Sequence, residues 1–153
     1  MSIYDRLSEL KVTIPSVEPR FAFAPGVRVG DLLFLSGQTP EVDGKMQFAG
    51  VVGDTIDIET GRRAARLAAL NCLSEAEAVL GSLDKIDRIV RLIGYVRSAP
   101  GFGEQPLVMN GASELLVEIF GERGKHARAA LGTSELPFGA PVEIEMIVKV
   151  NKA

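Results

Sequence analysis

The side chains that most often carry chemistry are scarce here: one cysteine, Cys72, and one histidine, His126, among 153 residues. A single cysteine forms no internal disulfide. A lone cysteine and a lone histidine also fall short of the ligand set of a structural zinc, so neither a metal nor another cofactor is expected. Cys72 recurs with apolar residues at helical spacing, which marks a packed core thiol rather than a nucleophile. Arg62, Arg63 and Arg66 cluster near Asp57 and Glu59 on one helix, the pattern of a solvated face rather than a phosphate-binding stripe. A net charge of -3 adds no long-range attraction to nucleic acid. Glu143 and Glu145 share one face of a strand, and Arg128, on the strand before it, could pair with either across a sheet.

The elements that would position these groups can be read from spacing. Ser2 followed by Asp5 forms a helix-opening box, with Ile3, Leu7 and Leu10 at helical intervals, so a short helix is expected over residues 2–11, broken by Pro15 and Pro19. From Phe21 to Gln38, the runs FAFA, VRV and DLLFLSGQ, separated by Pro25-Gly26 and Gly30-Asp31, read as paired strands. Asp43-Gly44 signals a further hairpin. Ala65, Ala68, Ala69, Cys72, Leu73, Ala76, Val79 and Leu80 make a helical stripe ending at Gly81. In IVRLIGYVRS, Ile89, Arg91, Ile93, Tyr95 and Arg97 alternate with Val90, Leu92, Gly94 and Val96, as in a strand. A second helix runs from about Gln105-Pro106 to Phe120, stopped by Gly121. HARAALG and VEIEMIVKV close the chain as strands, with Val142, Ile144, Met146, Val148 and Val150 on one face of the last.

Two helices cannot cover both faces of a five- or six-stranded sheet, so they are expected on one side, as an α+β layer within a single domain spanning residues 1–153. The other face, carrying Ile93, Tyr95 and Ile147, then needs a cover that self-association would supply. No apolar run is long enough to cross a bilayer. Asp5, Arg6, Glu9 and Lys11 interrupt the apolar stretch that a secretory signal needs, so a cytoplasmic protein is expected.

The blocks LLFLSGQTP (residues 32–40), VMNGASELLVEIFG (108–121) and ARAALGTSELPFGAPVEIEMIV (127–148) resemble, in order, the motif blocks of the Rid/YjgF family. The resemblance covers nearly everything from Phe21 onward, and the segment at residues 1–20 resembles the N-terminal extension of a longer subgroup. It implies a chorismate-mutase-like α+β fold and a homotrimer whose sheets line a central barrel, with sites in the clefts between subunits. The activity it implies is hydrolysis of reactive enamines and imines, such as 2-aminoacrylate, to 2-keto acids and ammonia. By motif position Arg128 would bind the substrate carboxylate and Glu143 would hold the attacking water. Asn110, Ser36, Gly37 and the backbone N–H of Ala130 would support them, with Phe23 near the place where relatives carry a substrate-facing tyrosine.

Those roles agree with the chemistry. A guanidinium offers a carboxylate two parallel donors, which a lysine does not. A protonated imine carbon is already electrophilic, so a carboxylate that positions water and shuttles a proton suffices. Plainer readings stand beside these: an ordinary polar position for Asn110, a turn for Ser36 and Gly37, core packing for Phe23 and Phe102. A noncatalytic trimer sensing a small carboxylate is the alternative function. An endoribonuclease using His126, Glu143 and Arg128 is a third, opposed by the acidic pI of about 5.3.

Overall fold

In the computed structural model, which describes residues 1–16 and 22–152, a five-stranded mixed sheet carries its helices on one face. The chain begins with α1 (Ile3–Leu10), opened by a reciprocal box in which the Ser2 hydroxyl accepts from the Asp5 N–H and the Asp5 carboxylate accepts from the Ser2 N–H. Ile3 and Leu7 turn inward. The Tyr4 hydroxyl donates to Glu77 and accepts from the Leu83 N–H, pinning α1 to the rest of the domain. It is a third helix beyond the two expected to cover the sheet.

β1 (Gly26–Val29) and β2 (Leu32–Leu35) pair antiparallel around Gly30, whose positive φ of 64° suits the tight turn. Ala22, Phe23 and Ala24 lie outside both strands, so the FAFA run is not a strand there, and its Phe21 lies outside the described residues, as does Pro19. The expected second hairpin is present as β3 (Glu41–Val42) and β4 (Lys45–Met46), with Asp43 and Gly44 both at positive φ.

α2 (Ile58–Leu80) starts seven residues before the stripe that announced it, because Asp57 caps it by accepting from the Thr60 N–H at 2.8 Å. It ends at Gly81 in the left-handed region. Cys72 is fully buried and its thiol faces the Ile144 carbonyl, as a core thiol should. β5 (Ile86–Arg97) is followed by α3 (Gln105–Phe120), β6 (Ala127–Thr133) and β7 (Val142–Val150).

The strand order is β1-β2-β7-β5-β6, and β5 with β6 is the parallel pair. A parallel pair requires a crossover, and α3 is that crossover. The same connection lays α3 over β6, which decides where the side chains of the site meet.

The residues Val142, Ile144, Met146, Val148 and Val150 of β7 all lie buried under the helices. In β5 the simple alternation fails at two points, between Ile86 and Arg88 and between Ile89 and Arg91. A register shift between Ile89 and Arg91 turns Ile89 to the helix face together with Leu92, Gly94 and Val96. The opposite face is left open, and Val27, Val29, Phe34 and Leu131 on it are 57%, 63%, 43% and 49% exposed. Large apolar side chains exposed together on one sheet face mark a surface suited to association.

Candidate functional site

Arg128 projects from edge strand β6 beneath α3. Its Nη1 donates to Asn110 Oδ1 at 2.9 Å and to Ser113 Oγ at 3.1 Å, and its Nη2 reaches the Pro106 carbonyl at 3.4 Å. Asn110 and Ser113 stand three residues apart on α3, which sets both on the helix face that meets β6. All three acceptors are neutral. Arg128 is half-buried and has no carboxylate partner among the described residues.

A guanidinium carries five N–H donors. Three are engaged, leaving Nε–H and one Nη2–H, the two parallel donors along one edge, without an acceptor among the described residues. A half-buried cation held only by neutral groups is short of its counter-charge. Ala130 follows two residues on, on the same face of β6, whose outer edge has no strand partner.

Glu143 lies elsewhere. Arg128 pairs with Leu92, which pairs with Met146, and these side chains point to the helices. Glu143 pairs with Tyr95, which pairs with Leu131, on the open face. Strand β5 separates β6 from β7, so the simple cross-sheet pairing of Arg128 with Glu143 or Glu145 does not occur. Within one chain the two residues are on opposite sides of the sheet.

Around Glu143 the surroundings are distinct. Gly37 lies against it so closely that a Cβ there would sit 3.2 Å from Glu143 Oε2. The loop holding Gly37 is fixed because Gln38 exchanges backbone hydrogen bonds with Ile144, both 2.9 Å long. The Ser36 hydroxyl donates to the Ala24 carbonyl at 2.6 Å, which ties the Phe23 segment to the same corner. Phe23 itself is 56% exposed, so the expectation that it packs into the core fails, whereas Phe102 does pack against the core. Burial first, and the neighbouring Glu145 second, raise the Glu143 pKa above the ordinary carboxylate value. Burial first, and then the charges of Glu145 and Glu143, raise the Tyr95 pKa.

Two groups of the sequence-named residues result: Arg128, Asn110 and Ala130 under α3, and Glu143, Gly37, Ser36 and Phe23 at the β2–β7 corner. Sequence reading missed Ser113 and the Pro106 carbonyl. The three-residue step from Asn110 to Ser113 was the available signal for the first. A pocket of about 260 Å³ between α1 and the end of α3 is lined by Ile3, Arg6, Val117, Glu118, Phe120 and Arg123 and by none of the residues of either group. Of the α2 arginines, Arg62 pairs with Glu59, one of the two acids expected to balance the cluster, and also with Glu114, while Arg66 pairs with Glu118 and Arg63 lies over the Phe48 ring. No group of His, Cys, Asp and Glu among the described residues could hold a metal. No helix is long and apolar enough to cross a membrane.

Comparison with known proteins gives this arrangement its context. The family model described as "YjgF/chorismate mutase-like, putative endoribonuclease" matches residues 5–147. Protein TCP17 of Trypanosoma cruzi is 40% identical over 147 residues, 95% of this chain and 92% of that protein. A protein of unknown function from Agrobacterium tumefaciens is 45% identical and superposes with a TM-score of 0.90, covering 98% of this chain and 92% of its own. A structure from Shewanella oneidensis given the same endoribonuclease designation reaches a TM-score of 0.93 at 30% identity, covering 98% and 100%. With the sequence blocks, the mixed sheet and its helical layer in agreement, the chain belongs to the YjgF/chorismate-mutase-like, or Rid/YjgF, family.

Proposed function

We propose that the protein hydrolyses reactive 2-imino acids of the 2-aminoacrylate type to 2-keto acids and ammonia, in a cleft between two copies of the chain. The observation that carries this reading is the Arg128 guanidinium: half-buried, held by Asn110 and Ser113, and lacking a carboxylate among the described residues. An anionic ligand is its natural complement. Because Arg128 and Glu143 face opposite sides of one sheet, a site using both draws Arg128 from one copy and Glu143 from another. The open face of the sheet, with its exposed Val29 and Leu131, gives copies an apolar surface to share. A homotrimer with sheets facing inward, in the cytoplasm, is the assembly we adopt.

In that cleft Arg128 orients the substrate carboxylate. Glu143 takes a proton from water as the oxygen bonds to the imine carbon. Glu143 returns that proton to the nitrogen of the carbinolamine, and as the C–N bond breaks and ammonia leaves, the hydroxyl gives up its own proton to Glu143 and the carbonyl forms. The raised Glu143 pKa makes its carboxylate a stronger proton acceptor than an ordinary glutamate. The reaction needs no covalent nucleophile, and much of the gain comes from holding water and imine together.

The test is release of 2-keto acid from freshly generated 2-aminoacrylate. The protein should hasten it, Arg128→Ala should abolish the effect, and equal rates for protein, variant and buffer would exclude the reading. A second reading, a noncatalytic trimer that binds a small carboxylate, is favoured by Phe23, which brings no hydroxyl to the Glu143 corner. Calorimetry with pyruvate and 2-ketobutyrate separates the two, since binding without turnover supports the second. RNA cleavage finds little support, because Arg62 and Arg66 are already paired to acids.

A further inference from the structure

Behind Arg128 a hydrogen-bond chain continues past the residues that touch it. Ser113 Oγ, which accepts from Arg128 Nη1, also lies 2.9 Å from His126 Nε2. His126 Nδ1 in turn lies 2.7 Å from the Gly124 carbonyl oxygen. A carbonyl only accepts, so Nδ1 carries the ring hydrogen. A guanidinium only donates, so Ser113 accepts from Arg128. With the ring neutral, Nε2 offers a lone pair and the Ser113 hydroxyl must donate to it. The two ends therefore place every hydrogen between them: Arg128 donates to Ser113, Ser113 to His126, and His126 to Gly124.

We propose that Ser113 and His126 are positioning residues that hold Arg128 with its Nε/Nη2 edge turned outward to receive an anionic ligand. Asn110 fixes one hydrogen of Nη1, and the Pro106 carbonyl, 3.4 Å from Nη2, holds the other arm only weakly, so these two leave the guanidinium room to tilt. Ser113 fixes the second hydrogen of Nη1. A serine hydroxyl rotates freely and could turn its own hydrogen toward the arginine, and the His126 lone pair prevents that by giving the hydrogen a fixed destination. Burial is the main cause of a lowered His126 pKa, and the Arg128 charge acts in the same sense against the pull of the Gly124 carbonyl, so the ring stays neutral where the chain is needed. Three elements converge here: α3 supplies Ser113, the 3-10 turn at Gly121–Gly124 supplies the carbonyl, and β6 supplies Arg128.

The inference rests on the reading of Arg128 as a carboxylate ligand, and the experiment separates the two. The chain has a single histidine, so its ring nitrogens give unambiguous ¹⁵N signals. At neutral pH the wild type should show Nδ1 protonated and Nε2 bare. Ser113→Ala should shift the Nε2 signal, broaden the Arg128 Nε–H resonance and weaken pyruvate binding about tenfold in calorimetry, the order expected for losing one bond to a charged group. Ser113→Thr, which keeps the hydroxyl, should restore all three, and a merely structural serine would not give that rescue. A ring protonated at Nε2, or Ser113→Ala binding pyruvate like the wild type, would overturn the relay. If the wild type binds no pyruvate, the carboxylate reading falls, and the relay is then decided by the tautomer and the Arg128 resonance alone.

Discussion

At the scale of single residues, the Arg128 guanidinium carries a charge that no carboxylate among the described residues of its own chain answers. Its outward edge presents two parallel donors, and a lysine at the same place would keep the charge but lose the fork. Arg128→Lys should therefore weaken pyruvate binding about tenfold or more relative to wild type, read by calorimetry, rather than preserve it. The histidine behind it predicts a pH effect on stability. Its folded pKa lies below the usual 6.5. As pH falls through the ordinary histidine range, the unfolded chain takes up a proton that the folded chain refuses, so stability drops. Glu143, with its pKa raised, acts in the opposite sense, so the comparison must be against a variant that changes only the histidine. Thermal unfolding between pH 7 and 5 should fall more steeply for wild type than for His126→Gln. The sequence blocks single out Arg128, Asn110, Glu143 and Gly37, and the fold sets Arg128 against Asn110 and Gly37 against Glu143. The Pro106 carbonyl was not legible in the sequence, since a backbone contact leaves no trace in residue type, and a serine in a helix has many ordinary reasons to be there. The mistaken expectation that Arg128 could pair with a glutamate across the sheet came from strand order, which spacing along the chain does not encode.

At the scale of elements, the parallel pair β5–β6 and its crossover α3 assemble the Arg128 group, and the position of α3 depends on how closely it can lie on α2. Gly111 sets that approach: a Cβ there would run into the Arg62 backbone carbonyl, which cannot swing aside. Gly111→Ala should cost about 1–3 kcal/mol in denaturant unfolding and disturb the Arg128 site with it. Most element positions followed from local chemistry. The Ser2–Asp5 box, the Asp43-Gly44 turn and the glycine stops at Gly81 and Gly121 each name a terminus by mechanism. The apolar stripe begins only at Ala65, but Arg62, Arg63 and Arg66 already marked a helical face ahead of it, and the Asp57 cap fixes where α2 starts. The shift near Ile89 was hidden because a bulge preserves apolar composition while changing which face it serves.

At the scale of the whole molecule, the sheet leaves an apolar face uncovered and divides the proposed chemistry between its two sides. One copy offers Arg128 without Glu143 at hand, and the reverse on its other side, so assembly and activity are coupled in this account. The most direct test is complementation between two inactive variants. Arg128→Ala and Glu143→Ala should each fail to hydrolyse 2-aminoacrylate alone. Co-expressed in equal amounts and assembled at random, they should recover about a quarter of wild-type activity, because one site in four draws an intact arginine from one copy and an intact glutamate from the next. No recovery above the separate variants, in mixed assemblies of confirmed composition, would contradict a site shared between copies.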